Sequence, residues 1–315
     1  MGESTEKLIE ANLSKADLNK LKEKILNTKI NVLMIGGTGV GKSSTISALL
    51  QERKLESDVV IGTGTEPETM DVQCHEIGEL KIWDTPGLGD GSKDEAHKEK
   101  IRELLVKKDD TGAALIDLVF VVLDGGSRDY SSAYELIDNV VLPNIEDKDK
   151  DRILIGINQA DMVLKGRHWT ENGPDEKLSE RLEDLSSSVI KRMKDKVGLD
   201  LDVIYYSAGE IDEEGEQVKK PYNLQKLLSF ILEKLPNKKR ASFYSYTSKE
   251  KENFENNDKK EDYKEKVESS VWASIKELIK EIGSSLLEGV KPVLSDPKNI
   301  VAAVVFISSL FTKKK

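Results

Sequence analysis

GGTGVGKS, residues 36–43, follows directly on the apolar run INVLMI, residues 30–35. It is a complete G-x-x-x-x-G-K-[ST] phosphate-binding loop, placed after a strand-like run and before a helix-like run, as this motif requires. Its glycines let the backbone bend so that several N–H groups point at one anion. A helix that begins near Lys42 adds the positive end of its dipole. The stretch therefore predicts a loop that binds nucleotide phosphates.

Two side chains of this loop carry specific chemistry. The Lys42 ammonium is expected to reach the β- and γ-phosphates, and the Ser43 hydroxyl is expected to complete the ligand shell of Mg²⁺. The alternative is that the glycines form a simple turn, which the strand-like run before them and the apolar residues after them disfavour. The candidate nucleotide-binding residues here are Gly36, Thr38, Gly39, Val40, Gly41, Lys42, Ser43 and Ser44.

Composition excludes several classes of function. The chain has 315 residues, a formal net charge of −10, 37% hydrophobic residues and 34% charged residues. A surface of this charge repels nucleic acid on average, so no nucleic-acid partner is expected. The single cysteine excludes an intrachain disulfide and a multi-cysteine zinc site. No run approaches the ~18 consecutive apolar residues of a membrane-spanning helix. We expect a cytoplasmic protein, with a peripheral membrane location as the alternative.

Strand-like and helix-like runs alternate from residue 30 to about 236. This alternation predicts an α/β sheet that is mostly parallel. The runs 72–77 and 80–84 are separated only by Gly78-Glu79, which forces an antiparallel pair at the edge. The other strand candidates are 30–36, 117–124, 152–158 and 202–207. The helix candidates are 14–28, 42–51, 94–107, 131–142, 175–197 and 223–235.

Four segments are predicted along the chain. They are an N-terminal helical segment (1–28), a nucleotide-binding domain (29–236), a charged linker or exposed helix (237–268) and a helical C-terminal tail (269–315). The tail is amphipathic, with one stripe formed by Val271, Ile275, Leu278, Ile279, Ile282 and Leu286. His97 and His168 lie in polar stretches, so both are expected to be solvated.

Three further motifs follow strand candidates. Asp84-Thr85-Pro86-Gly87 ends the run 80–84, where the carboxylate can hold Mg²⁺ through water and the Gly87 N–H can meet the γ-phosphate. Asn158-Gln159-Ala160-Asp161 lies at the end of the strand candidate 152–158. The Asp161 carboxylate can accept two N–H bonds from the guanine edge and would repel the acceptor edge of adenine. Ser207-Ala208 follows the last strand candidate and can offer a backbone N–H to the guanine carbonyl.

These four elements, in this order and spacing, resemble the translation-factor-related (TRAFAC) GTPases, and in particular the bacterial Era-like branch. The Asn-Gln-x-Asp form of the base motif resembles a less studied subgroup found in bacterial genomes and prophages. The resemblance covers residues 15–236 and implies a P-loop NTPase G domain that binds GTP or GDP with Mg²⁺. It implies that Thr69 closes on Mg²⁺ and the γ-phosphate, with Thr63 and Thr65 as competitors.

The resemblance also implies a role for each residue of the four motifs. Lys42, Thr69 and Gly87 are implied to be catalytic, and Ser43, Thr69 and Asp84 are implied to hold the metal. The residues implied to contact the base are Asn158, Gln159, Asp161, Ser207 and Ala208.

Departures from the family pattern affect base recognition and catalysis. Gln159 replaces the usual lysine that covers the base and braces the phosphate loop, and Gly209 replaces the lysine of Ser-Ala-Lys. Leu88 stands where a glutamine orients water in some relatives, so slow intrinsic GTP hydrolysis is expected. Hydrolysis is expected to accelerate on self-association or on binding a protein effector. Arg128 is a candidate arginine finger across a dimer, although a surface arginine near Asp129 is the favoured interpretation.

Two other functions remain open at this stage. A membrane- or self-assembling GTPase of the dynamin-like or immunity-related type would use the C-terminal tail. The apolar segment 300–311 in that tail is followed by three lysines. Docking of this segment on the domain or a partner is favoured over membrane contact, because it is too short to span a bilayer. An ATP-using P-loop enzyme is the second alternative.

Overall fold

The computed structural model describes residues 15–50, 73–85, 94–127, 129–212, 217–248, 250–255 and 257–283. Its α-helices are α1 (Lys15–Leu26), α2 (Lys42–Leu49), α3 (Asp94–Val106), α4 (Ser131–Leu136), α5 (Glu176–Val197), α6 (Leu224–Lys234), α7 (Asn237–Ser245) and α8 (Tyr263–Ile282). Its strands are β1 (Ile30–Ile35), β2 (Gln73–Ile77), β3 (Leu80–Asp84), β4 (Leu118–Asp124), β5 (Ile153–Asn158), β6 (Trp169–Thr170), β7 (Gly173–Pro174), β8 (Asp202–Tyr205), β9 (Glu210–Ile211) and β10 (Gln217–Lys219).

Six strands form the central sheet in the order β2-β3-β1-β4-β5-β8. All neighbouring pairs are parallel except β2 with β3, which is antiparallel across the Gly78-Glu79 turn. The prediction of a mostly parallel α/β sheet with one antiparallel edge strand is therefore confirmed. The parallel strands bring their carboxyl ends to one edge of the sheet, and the predicted motifs follow those ends.

The sheet is buried on both faces, as its apolar strands require. In β1 all six residues are buried, and alternate side chains enter opposite cores. Ile30, Val32 and Met34 face a core that α1, α2, α6, α7 and α8 complete. Leu33 and Ile35 face the second core, to which α3, α4 and α5 contribute.

The segment 237–268, expected to be a charged linker or an exposed helix, packs on the first core. Ala241 and Phe243 of α7 are 4% and 3% exposed, and Tyr263 and Val267 of α8 are also buried. The Lys and Glu residues of this segment lie beside a narrow apolar stripe on its helices. The high charge of the segment as a whole hides this stripe in the sequence, and the prediction of an exposed segment failed for that reason.

Helix α8 begins six residues before the predicted tail and crosses the expected boundary at 268/269. Asp262 caps its first turn, because its Oδ1 accepts a hydrogen bond of 3.0 Å from the Glu265 N–H. The predicted stripe is buried where the structure describes it, except for the partly buried Ile282. Leu286 and the segment 300–311 lie outside the described residues. Among the residues described, no helix combines the length and the apolar character needed to cross a membrane.

A buried ion pair connects α7 to the sheet. Lys239 Nζ lies 2.8 Å from Asp117 Oδ2, and the same carboxylate accepts a 2.9 Å hydrogen bond from the Asn31 N–H of β1. Asp117 is 2% exposed. Burial raises the pKa of the Asp117 carboxyl, and Lys239 opposes that shift. The pair joins residues 122 positions apart in the chain.

We expect Lys239→Met to destabilise the fold by about 2–4 kcal/mol at pH 7.5, because it leaves a buried carboxylate without its cation. A carboxyl whose pKa is raised on folding favours the folded state at low pH and disfavours it as the pH rises. The deficit should therefore shrink on acidification, as Asp117 becomes protonated. Urea unfolding at pH 5 and pH 7.5 measures this. Lys238→Met is the matched control, since it removes an exposed pair with Glu281 and should change stability by less than about 1 kcal/mol.

Candidate nucleotide-binding site

The phosphate loop runs from the end of β1 to the start of α2, as predicted. Gly39 and Gly41 have φ values of +78° and +86°. A Cβ at Gly41 would lie 2.2 Å from Nδ2 of Asn158, and one at Gly36 would lie 2.6 Å from the carbonyl oxygen of Val122. The path of the loop therefore needs glycine for two reasons, the backbone conformation and the close approach of neighbouring segments.

Lys42 points back over this loop and is only 8% exposed. Its Nζ donates to the carbonyl oxygens of Gly36 at 3.1 Å and Gly37 at 3.3 Å. It also lies 3.6 Å from Oδ1 of Asp84. The ammonium is thus held where the phosphate loop of a nucleotide-binding protein presents its lysine to the β- and γ-phosphates.

Asp84 ends β3 beside the phosphate loop, paired in register with Met34 of β1. Burial raises the pKa of its carboxyl, and the Lys42 ammonium partly offsets this effect. Its Oδ1 is buried and accepts no hydrogen bond within the described residues. A buried carboxylate oxygen with spare acceptor capacity, next to the loop that carries the Ser43 hydroxyl, fits the hard oxygen-donor set that Mg²⁺ prefers.

Thr85, the second residue of the Asp84–Gly87 motif, has a structural function in the fold. Its N–H and its hydroxyl both bond to the carbonyl oxygen of Met34, at 3.2 Å and 3.1 Å. The side chain is 2% exposed. Thr85 therefore attaches the residues after β3 to β1, next to the phosphate loop.

Asn158 connects the phosphate loop to the predicted base-reading loop. Its Nδ2 donates to the Val40 carbonyl oxygen at 2.9 Å, and its Oδ1 accepts from the Ala208 N–H at 3.0 Å. The residue is 2% exposed. Its amide thus joins two loops that come from opposite ends of the domain sequence.

Gln159 braces the phosphate loop from the position at which the family usually has a lysine. Its Nε2 donates to the Gly39 carbonyl oxygen at 2.9 Å, from a left-handed backbone conformation with φ of +57°. An uncharged amide is long enough to make this contact. What the substitution removes is the positive charge, and not the link between the loops.

Asp161 and Ser207 meet at the same edge of the sheet. The Ser207 hydroxyl donates to Asp161 Oδ1 at 3.1 Å and accepts a 3.3 Å bond from the Gly209 N–H. Asp161 is 8% exposed. The carboxylate is therefore oriented by the loop that carries Ala208, which is the arrangement that base reading by this pair of motifs requires.

A Thr–Tyr contact missed by sequence reasoning joins the two halves of the site. Thr45 of α2 donates its hydroxyl proton to the Gly41 carbonyl oxygen at 2.7 Å, so the Tyr206 hydroxyl donates to Thr45 Oγ1 at 2.8 Å. Both residues are fully buried, and burial raises the pKa of the Tyr206 phenol. The only sequence signal was a tyrosine directly before Ser207-Ala208.

The two histidines expected to be solvated have different environments. His97 is 5% exposed, on the same face of α3 as the buried Ile101 and Leu105. Neither of its ring nitrogens has a hydrogen-bond partner in the described part of the chain. His168 is half-buried, and its Nδ1 lies 2.7 Å from Asp175 Oδ2. The expectation is therefore wrong for His97.

Several predicted residues lie outside the described ranges. They are Thr63, Thr65, Thr69, Gly87, Leu88 and Arg128. The four motifs are thus brought together as far as they are described, through Lys42, Asp84, Asn158, Asp161 and Ser207.

Comparison with known proteins supports this assignment at the level of class. Residues 31–159 match the family model described as "50S ribosome-binding GTPase". The fold is that of a P-loop domain, with the matched segment running from β1 through the phosphate loop to Gln159. This match supports the predicted class of translation-factor-related P-loop GTPases and leaves the Era-like branch and the Asn-Gln-x-Asp subgroup as predictions.

Two curated relatives come from Physcomitrium patens. "Translocase of chloroplast 108, chloroplastic" from Physcomitrium patens is 35% identical over 113 residues, which are 34% of this chain and 11% of that protein. "Translocase of chloroplast 101, chloroplastic" from the same organism is 34% identical over 113 residues, which are 34% of this chain and 12% of that protein. The match thus spans only about a ninth of the length of these relatives.

Among solved structures, a dimerization-deficient mutant of Toc33 from Arabidopsis thaliana is 18% identical to this chain. It has a TM-score of 0.41, and the match covers 65% of this chain and 85% of that one. A probable GTP-binding protein engB is 20% identical with a TM-score of 0.36, and the match covers 65% of this chain and 97% of that one. Similarities with TM-scores this low carry no functional assignment.

Proposed function

We propose that this chain binds GTP and GDP with Mg²⁺ and hydrolyses GTP slowly as a nucleotide-controlled switch. One observation carries the proposal. Asn158 hydrogen-bonds both the phosphate loop at Val40 and the base-reading loop at Ala208. A single nucleotide that lies across these loops can be held at its phosphates and at its base.

Different described residues would bind the phosphates, the base and the metal ion of the nucleotide. The phosphate-loop amides and the Lys42 ammonium hold the β- and γ-phosphates, while the Asp161 carboxylate selects guanine. The Ala208 N–H donates to Asn158 Oδ1 and so fixes the loop beside that carboxylate. Ser43 and Asp84 would hold Mg²⁺, Asp84 through water. A Mg²⁺ ion held there would supply positive charge to offset the negative charge that develops on the phosphates.

The catalytic proposal includes residues outside the described ranges. We propose that Thr69, with Thr63 and Thr65 as competitors, would hold the metal, and that the Gly87 N–H would meet the γ-phosphate. Leu88 cannot orient water, so the intrinsic rate is slow, and a homodimer or a protein effector accelerates it. Measuring turnover over a range of protein concentrations tests this: a fast rate in dilute monomer contradicts it.

We also propose membership of the Era-like branch, in a subgroup with an Asn-Gln-x-Asp base motif. The assignment is supported by the order of the four motifs and by the brace that Gln159 provides to Gly39. No observation among the described residues favours the membrane-assembling or ATP-using alternatives. The Asp161 carboxylate disfavours adenine, because it presents only acceptors to the adenine edge.

Nucleotide titration tests the proposal. The folded chain with Mg²⁺ should bind GTP and GDP and should bind ATP far more weakly. Lys42→Ala should weaken GTP binding by about a hundredfold, because it removes charge-assisted bonds to two phosphates. Lys191→Ala, at an exposed position of α5, is the matched control and should bind as the parent does. Absence of GDP and GTP binding at millimolar nucleotide would refute the function.

A further inference from the structure

The short β9–β10 hairpin places a lysine against the predicted base-reading carboxylate. The hairpin follows Ser207-Ala208-Gly209 and ends at Lys219. Lys219 Nζ lies 3.4 Å from Asp161 Oδ2. These two residues are 58 positions apart in the chain, so the sequence motifs contain no sign of this pair.

The Asp161 carboxylate has enough hydrogen-bond acceptor sites for both its protein partners and a guanine base. An ionised carboxylate has about four lone-pair sites on its two oxygens. The Ser207 hydroxyl occupies one site on Oδ1, and the Lys219 ammonium occupies one on Oδ2. One site on each oxygen remains, which equals the two donors of guanine, its ring N–H and its 2-amino group.

The hairpin holds Lys219 in this position. Lys219 Nζ also lies 3.2 Å from Glu210 Oε2, on the opposite strand of the hairpin. The Lys219 carbonyl oxygen accepts a 2.6 Å hydrogen bond from Gln217 Nε2. A Cβ at Gly209 would lie 2.5 Å from that carbonyl oxygen, and Gly209 has φ of +76°. The glycine that replaces the usual lysine after Ser207-Ala208 therefore lets the hairpin fold back over the loop.

We propose that Lys219 is a positioning residue for base selection, which holds Asp161 Oδ2 towards the 2-amino group of guanine. The inference rests on the proposed function. Both positions at which related motifs carry a lysine are uncharged here, Gln159 and Gly209. Lys219 supplies a cation to the Asp161 carboxylate from outside those motifs. Glu210 and Asp161 together raise the pKa of the Lys219 ammonium, which stays protonated at neutral pH.

The test compares GDP with IDP, which lacks the 2-amino group. The parent chain, Lys219→Met, Lys219→Arg and the neighbouring control Lys220→Met are titrated with each nucleotide at constant Mg²⁺ and pH. Lys219→Met should weaken GDP binding about two- to fivefold, the range for a half-exposed ion pair. It should leave IDP binding almost unchanged, so that the preference for GDP over IDP also falls about two- to fivefold. Lys219→Arg should restore the preference, and Lys220→Met should leave it unchanged.

The outcomes separate the two proposals. A parent chain that ignores GDP contradicts the proposed function itself. A parent chain that binds GDP while Lys219→Met keeps the parental preference for GDP over IDP overturns the role of Lys219 alone. Equal losses for both nucleotides also overturn it, because they indicate a general effect on the pocket. Lys219 is 47% exposed at its side chain, so the variant is expected to fold, and its thermal unfolding checks that.

Discussion

A chain that ends at Glu268 will not fold stably, whereas a chain that ends at Gly283 will. The shorter chain loses the part of α8 that supplies Val271, Trp272, Ile275, Leu278 and Ile279 to the first core. Each of these side chains is 2% exposed or less. Burial of an aliphatic or aromatic side chain stabilises a fold by ~1.5–3 kcal/mol. Losing five of them removes about 7–15 kcal/mol, which is as large as the whole stability of a typical domain.

Circular dichroism and urea unfolding of the two truncated chains measure this effect. The chain ending at Gly283 retains every core residue of the described ranges, so it should unfold in one cooperative transition. Cooperative unfolding of the chain ending at Glu268 would contradict the assignment of α8 to the core. Liposome co-sedimentation of the tail should therefore compare the full chain with the chain ending at Gly283.

Asp161→Asn should weaken GDP binding by at least about a hundredfold and should create affinity for XDP. The substitution replaces two acceptors by one acceptor and one donor, so guanine loses one hydrogen bond to a charged group and keeps the other only as a bond to a neutral oxygen. The amide donor matches the carbonyl that xanthine presents in place of the 2-amino group. Titration of both nucleotides with Mg²⁺ present gives the ratio of the two dissociation constants.

The control for this change is Asp184→Asn, an identical chemical change at an exposed position of α5. It should leave the preference for GDP at the parental value. If Asp161→Asn binds GDP as tightly as the parent, Asp161 does not read the base. A loss of GDP binding with no gain of XDP binding would instead indicate that the substitution disrupts the loops joined by Ser207.

Local sequence patterns were sufficient to predict the strands and helices of the nucleotide-binding domain. The six strands of the sheet and the antiparallel edge pair were predicted because buried parallel strands are apolar on both faces and a two-residue turn permits only a hairpin. The buried face of α5 was also predictable from residues that recur at helical spacing: Leu178, Leu182, Val189 and Met193 are buried, and Leu185 is partly buried.

Prediction was poorer where burial depends on partners far away in the chain. The charged segment 237–268 looked solvated, yet Phe243 and Val267 complete a core with residues from α1. His97 lay in a polar stretch, yet its helix face packs with Ile101 and Leu105 against the sheet. Composition of a segment cannot show which side of it will meet an apolar surface.

The sequence by itself determined the chemistry of the phosphate loop and the location of the base motifs, because glycine content, a lysine and strand–helix context act over a few residues. Only the tertiary structure decided which groups join these motifs: the Asn158 links, the Thr45–Tyr206 contact and the approach of Lys219 to Asp161. Hydrogen bonds act over about 3 Å, and separation along the chain does not indicate which polar groups the folded backbone brings that close.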